Sequence, residues 1–440
     1  MRNRFILLTV FLAAILTVNA QTEKIKFVEY DLPNGLHVIL HHDDRTPNVM
    51  ASIMYHVGAK NEDPSRTGFA HFFEHLMFEG SENINRGEFF KIVQAAGGSL
   101  NANTSPDRTY YYENMPSNQL ELALWMESER MLHAKIDTIG VNTQKGVVIE
   151  EKKQTYDNRP YGTFMEELGK RAFTKHPYKW QTIGDPEHIR AADFNDIVKF
   201  YDTFYVPNNS VLVIAGDFDE KQTREWINKY FGDIPQGTLP IYRPDIVEPQ
   251  QTEEIKDVVY DNIQLPALFM AYHSPAMGTK ESYAMDIATQ ILHGGAASRM
   301  KTNLDDKGLT LQTAVLNHAM EDPGLVYVIS IPNMGNSLDD VESAVTNEIN
   351  KLSTELVSEE EFQMAMAAKE FEVAANLESL DGKAEQLANN YTYFKDTDRI
   401  NKELENYEQI TRQDIMDVAK KYLQTNSRVA LRYLPMSEKE

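Results

Sequence analysis

Gly68-Phe-Ala-His71-Phe-Phe-Glu74-His75-Leu-Met-Phe-Glu-Gly80 carries more chemical information than any other stretch of this chain. Residues four apart share one face of a helix, so His71 and His75 present two imidazoles to a single point, as a metal ion requires. Glu74 stands beside His75 and three residues after His71, at the edge of that face, within reach of a metal-bound water. Phe72, Phe73, Leu76 and Met77 pack the helix around the pair, and Gly80 stops it. Two solvated histidines on a helix face are the plainer alternative. The apolar neighbours weigh against it, because polar groups on a buried face need partners. A hydrolytic zinc site wants three protein ligands and one open position. The chain has no cysteine, so the third ligand is expected to be a carboxylate from another element. Glu150 and Glu151, on a helical segment beginning near Val147, are the candidates.

With 440 residues, 42% apolar and 25% charged, the chain is long enough for two domains of roughly 200 residues each. That apolar content excludes wholesale disorder. The absence of cysteine excludes disulfide frameworks, cysteine–zinc and iron–sulfur sites and thiol nucleophiles. Arg2 and Arg4, the apolar run Phe5 to Val18 and the small residues Val18-Asn19-Ala20 form a secretory signal peptide with cleavage after Ala20. The run is shorter than the roughly 20 residues of a spanning helix, and no later stretch is apolar enough to span. A periplasmic or secreted protein with no membrane span after cleavage is therefore expected. A formal charge of −23 argues against nucleic acid as a partner and favours basic peptides or metal cations.

Outward from the histidine helix the pattern alternates between strand and helix. Lys24 to His41 reads as two strands around an Asn34-Gly35 turn, and Val49 to Val57 as a third strand. Phe89 to Ala96 reads as a helix, Ser99 to Glu113 as extended, Leu120 to Leu132 as a helix and Val211 to Ala215 as a buried strand. Ile234 to Gln251 holds four prolines without periodicity and reads as a linker. Beyond it Lys256 to Tyr272 is strand-like, Ser282 to Leu292 helical and Gly324 to Ile331 a strand. Glu359 to Asn376 and Lys383 to Tyr393 are helical, and Arg428 to Tyr433 is a last strand. The two halves thus repeat one alternation, which predicts a duplicated α+β architecture. Its parts are residues 1–20, a metal-binding domain over 21–235, a linker over 236–252 and a homologous domain over 253–440. His41-His42-Asp43-Asp44 reads as a solvated loop, because adjacent residues of an extended segment point opposite ways. His176 and His188 read as structural, and Ser358-Glu-Glu-Glu361 as a helix start favoured by the dipole.

His-x-x-Glu-His is the inverted zincin motif, and further stretches recur around it in order. They are Ala95-Ala-Gly-Gly-Ser-Leu-Asn-Ala-Asn-Thr-Ser105, Arg108-Thr-Tyr-Tyr-Tyr-Glu113, Val147-Val-Ile-Glu-Glu-Lys152, His176-Pro-Tyr178 and Asn209-Ser-Val-Leu-Val-Ile-Ala-Gly-Asp-Phe218. Over nearly all of its mature length the sequence resembles the pitrilysin/insulinase family of zinc metallopeptidases. The likeness is to the short bacterial members related to the mitochondrial processing peptidase beta subunit.

The resemblance implies two related α+β domains, each an antiparallel-rich sheet packed by helices, together forming half of a clam-shell chamber. It implies one zinc ion per chain held by His71, His75 and Glu151, rather than Glu150, with Glu74 as general base of an endopeptidase acting on peptides or unfolded segments. Family members often carry a carboxylate two helical turns before the distal ligand, where this chain has Gln144. Leu100-Asn101-Ala102-Asn103-Thr104 resembles the family's edge strand, onto which a peptide adds as another strand. Gly294 to Met300 resembles the region of the transition-state donors, with Arg299 as the candidate, although Lys307-Gly-Leu-Thr-Leu311 lacks the expected tyrosine. A homodimer, or a heterodimer with a homologous chain that supplies the missing donors, follows from the family pattern. The alternative is a non-catalytic or partner-dependent subunit of a heterodimeric peptidase.

Overall fold

A computed structural model describes residues 24–439; the segment read as a signal peptide lies outside them. The first sheet is built from β1 (Val28–Asp31), β2 (His37–His42), β3 (Asn48–Tyr55), β4 (Ser99–Thr104), β5 (Thr109–Pro116) and β6 (Ser210–Gly216), in the order β1-β2-β6-β3-β5-β4. Only β2 and β6 pair parallel; the other neighbours are antiparallel. The second sheet holds β7 (Ile255–Asp261), β8 (Ala267–His273), β9 (Thr310–His318), β10 (Leu325–Pro332) and β11 (Arg428–Pro435), in the order β7-β11-β8-β10-β9. Here too a single parallel pair, β7 with β11, joins a first strand to a last one. Without β1, the two orders are one pattern written twice, so the expected duplication is present in the topology. Each half is an α+β unit with a mixed, mostly antiparallel sheet packed by helices.

The chain departs from the sequence reading in three places. The helix expected from Val147 starts earlier, at Thr138, where Asp137 accepts the N–H of Gly140 at 2.8 Å. Gly140, Asn142 and Thr143 are poor helix formers, and tertiary packing overrides them. Lys256 to Tyr272 is two strands, β7 and β8, around a turn. His41 is no solvated loop residue: it is buried in β2, with Nδ1 2.7 Å from the Lys26 carbonyl. Residues 235–252 carry no helix or strand, as the prolines predict.

Each half lends a helix to the other's sheet. Helix Leu380–Phe394 sets Ala384, Leu387 and Ala388 against Ile39, Met50, Met54, Val211 and Val213 of the first sheet. Conversely, helix Phe164–Ala172 sets Leu168 and Ala172 against Phe269, Ala271, Val429 and Leu431 of the second. The two halves are thereby interlocked by apolar burial.

A buried charge cluster adds to the lock. The Lys60 ammonium lies 3.0 Å from Asp107, 2.6 Å from Glu321 and 3.1 Å from Asp322, with its side chain 4% exposed. Asp107 also receives the Tyr178 hydroxyl and the N–H of Glu321, and His56 Nε2 is 2.9 Å from Glu321. Lys60 and Asp107 belong to the first half, and Glu321 and Asp322 to the β9–β10 connection of the second. Burial opposes ionisation of Glu321, but the hydrogen bond and charge of His56 and the charge of Lys60 hold it down to about 2.

Candidate metal centre

The histidines sit on α1 (Phe69–Leu76), an eight-residue helix too short to be stable alone. Phe69, Ala70, Phe72, Phe73 and Leu76 are buried on its inner face, which leaves His71, Glu74 and His75 at the accessible edge. Both ends are capped from elsewhere in the chain. At the start, Gly68 sits at φ +89 and has no side chain to cap with; a Cβ there would meet the Ile183 carbonyl at 2.8 Å. The buried carboxylate of Glu62 does the capping, accepting the N–H of Gly68 at 2.9 Å and of Ala70 at 2.8 Å. At the far end, the fully buried guanidinium of Arg130 donates to the Met77 carbonyl at 2.8 Å. That guanidinium is balanced by Glu127 at 3.0 Å and Glu113 at 3.4 Å and walled by the rings of Phe78, Phe89 and Tyr111. Sequence reading missed Glu62 and Arg130, since a lone charged residue carries no local sign that it will be buried.

The second element is α2, Thr138–Lys152. It brings Glu151 up to the histidines: Glu151 Oε2 lies 3.2 Å from His75 Nε2, and Oε1 lies 3.7 Å from His71 Nε2. The two imidazole Nε2 atoms are 3.3 Å apart. Donors ~2.1 Å from a zinc ion at tetrahedral angles stand ~3.3–3.6 Å from one another, so this donor set fits such an ion. Among the described residues, His71, His75 and Glu151 are the group of His and carboxylate side chains whose ligand atoms converge, all within 4.8 Å. Glu150 is turned away, 54% exposed, with Lys153 and Gln154 as its partners.

Burial, then the charge of His75, push His71 down to about 4 against the pull of Glu151, which leaves its imidazole neutral with a free lone pair. His71 Nδ1 is buried without a hydrogen-bond partner among the described residues. Metal-bound histidines commonly donate the N–H of that second nitrogen to a carboxylate or carbonyl; here the polar contacts of the ring are those of Nε2 with His75 and Glu151. The hydrogen bond from His75 holds Glu151 below the usual carboxylate range, though burial opposes it. Glu74 moves the other way: burial raises it, while the Thr104 hydroxyl, donating to Oε2 at 2.6 Å, tempers the rise.

Thr104 ends β4, so the base and the edge strand meet. β4 pairs with β5 on one side only. Asn101 and Asn103 are exposed and Ala102 is buried. Part of this edge is already engaged: Asn101 Oδ1 accepts the Ala102 N–H at 2.9 Å, and Arg108 donates to the Asn103 carbonyl at 3.2 Å. Arg299 is placed differently. Its guanidinium grips Glu361 through two bonds of 2.7 and 3.1 Å, which, against the cost of burial, hold Glu361 down to about 2. Its hydrogen bonds go to Glu361 rather than to any residue of α1, β4 or α2. His176 accepts the N–H of Tyr178 and sets Nε2 3.5 Å from Asp322 of the other half, and His188 accepts the N–H of Thr67, so both serve structure.

Known family models, sequences and structures resemble this chain over most of its length. Residues 37–186 match the family model described as Insulinase (Peptidase family M16), and residues 191–369 match the one described as Peptidase M16 inactive domain. The chain is 28% identical over 367 residues to the zinc protease PqqE of Helicobacter pylori, covering 82% of this chain and 83% of that protein. It is similar to the crystal structure of a protease from Helicobacter pylori, with TM-score 0.88 and 26% identity, covering 93% of this chain and 100% of that one. The periplasmic protease PqqL from Escherichia coli shares the fold, with TM-score 0.76 and 17% identity; 93% of this chain matches 47% of that longer one.

Proposed function

The chain belongs to the M16 family of zinc peptidases, and on that premise we propose that it is an exported endopeptidase, catalytic in its first half, cleaving peptides or unfolded segments. The observation that carries this reading is the convergence of His71, His75 and Glu151 with Glu74 beside them. A bound zinc ion would supply Lewis acidity, acidifying a water and polarising the scissile carbonyl. His71 and His75 offer neutral nitrogen donors and Glu151 an anionic one, a set that keeps an open position. Glu74 takes the proton of the attacking water at a carboxylate oxygen and returns it to the leaving amine. Thr104 holds that carboxylate toward the end of β4, where Asn101, Ala102 and Asn103 line the edge a substrate strand would join.

Thr104→Val tests this arrangement. Without the hydroxyl, Glu74 rises further; since the base must be ionised, the acid limb of the kcat/KM profile moves to higher pH, with roughly 10-fold lower activity at neutral pH. An unmoved acid limb would refute Thr104's role.

The motif order supports placing the chain among the short members related to the processing peptidase beta subunit. A longer relative with about twice this length supports pairing of two such chains, as a homodimer or with a homologous chain. The engagement of Arg299 by Glu361 favours a second reading, in which a partner supplies the transition-state donors. The net charge of −23 favours basic peptides, and the basic, then apolar, start of the sequence favours the periplasm or secretion, with cleavage after Ala20. Among the described residues no helix is long and apolar enough to cross a membrane. The deciding experiment is hydrolysis of a quenched fluorescent basic peptide by the chain lacking residues 1–20, before and after chelation and zinc re-addition. Cleavage lost on chelation and restored by zinc is expected. No cleavage despite bound zinc would point to the partner-dependent reading.

A further inference from the structure

α1 and α2 run antiparallel and touch at two levels. One level is the His71, His75 and Glu151 group. At the other, Gln144 Nε2 donates to Glu79 Oε1 at 2.6 Å. Arg86 bridges Glu79 to Asp137, donating to the first through Nε and to the second through Nη2, the latter at 2.7 Å. Asp137 caps α2. The Glu79 side chain is 6% exposed and lies in the turn that closes α1, its N–H bonded to the Leu76 carbonyl. A buried anion at a helix C-terminus opposes the dipole, so helix propensity does not account for it. Gly140 lets the helices come this close: a Cβ there would meet Glu79 Cγ at 3.3 Å and Arg86 Nη2 at 3.2 Å.

The geometry points to Glu79 and Gln144 as positioning residues of the metal centre, setting the register of α2 against α1 and with it the placement of Glu151. Gln144 and Glu151 are seven residues apart, two turns along one face. A slip of one residue moves α2 by about 1.5 Å and 100°, which would swing Glu151 away and bring the exposed Glu150 or the buried Lys152 round. Gln144 Oε1 is buried without a partner among the described residues, so its amide is held by the one bond to Glu79. An amide suits this position better than a carboxylate, since a second anion would face Glu79 across a hydrogen-bond distance.

The inference rests on the zinc reading above, and its test reads zinc affinity rather than turnover. Zinc binding is measured by competition with a chromophoric chelator for wild type, Glu79→Gln, Gln144→Glu and the double variant, with thermal unfolding of each metal-free form alongside. Each single variant is expected to bind zinc about 10–100-fold more weakly. The double variant, which restores an amide–carboxylate pair in reverse, is expected to recover most of the loss, a coupling that two independent defects would not show. If Gln144→Glu does not fold, Gln144→Met removes the donor without adding charge and is read in the same way. Single variants that lower only metal-free stability, with zinc affinity unchanged, would overturn the positioning role and leave the zinc reading standing. A wild-type chain that binds no zinc would overturn both.

Discussion

Glu74→Gln is expected to bind zinc as tightly as wild type and to hydrolyse peptides about 10²–10⁴-fold more slowly, the usual contribution of a positioned general base. Glu74 is not among the three converging ligand groups, so neutralising it leaves the donor set whole. Its carboxylate is bonded to Thr104 through Oε2; an amide in the same rotamer still accepts from that hydroxyl, and the local structure is retained. What is lost is the basic oxygen that receives the water proton. Zinc content and metal-free melting temperature measured beside kcat/KM separate the outcomes. Full activity with zinc bound would show that another group accepts the proton. Activity lost together with zinc would show instead that Glu74 holds the ion.

Lys60→Met is expected to destabilise the protein by about 3–5 kcal/mol, the cost of leaving buried charges without their partner. Asp107, with a side chain 3% exposed, loses its cation, and Glu321 and Asp322 are left facing it. Because these groups join the two halves, the loss should appear as weaker coupling between them, seen in denaturant melts as a broader or split transition. The pH dependence carries a sign. Glu321, held at about 2 in the folded chain against 4.5 unfolded, contributes stability above about pH 4.5, and this is lost as the pH falls toward 2. In the variant its folded value moves back up and that contribution shrinks. The gap between wild type and variant is therefore widest near neutrality and narrows through this window. A constant gap would mean that Lys60 acts through packing alone.

His71, Glu74 and His75 were legible in the sequence because helical spacing is a local property, and three residues within five positions define one edge of one turn. The candidate third ligand was narrower ground. The residues alone left Glu150 and Glu151 open, and the choice follows from the rotation of α2, which turns Glu151 to the imidazoles and Glu150 to solvent. Where α2 meets the end of α1, Glu79 and Arg86 contact Gly140 and Gln144, two pairs far apart in sequence. Arg299 shows the opposite limit, for its place in a matching segment says nothing of the bidentate grip of Glu361.

The sequence by itself determined the alternation of strands and helices, the two-part α+β architecture and the helical spacing that sets His71, Glu74 and His75 on one edge. These rest on periodicity and turn residues, which act over a few neighbours. Only the tertiary structure decided which sheet each helix covers. An apolar face on Leu380–Phe394 or Phe164–Ala172 demands burial without naming a partner, and each crosses to the sheet of the other half. The same holds for Lys60, Glu62, Glu113 and Arg130. Such residues are normally solvated, and they enter the interior only where distant parts of the chain bring them opposite charges or helix ends.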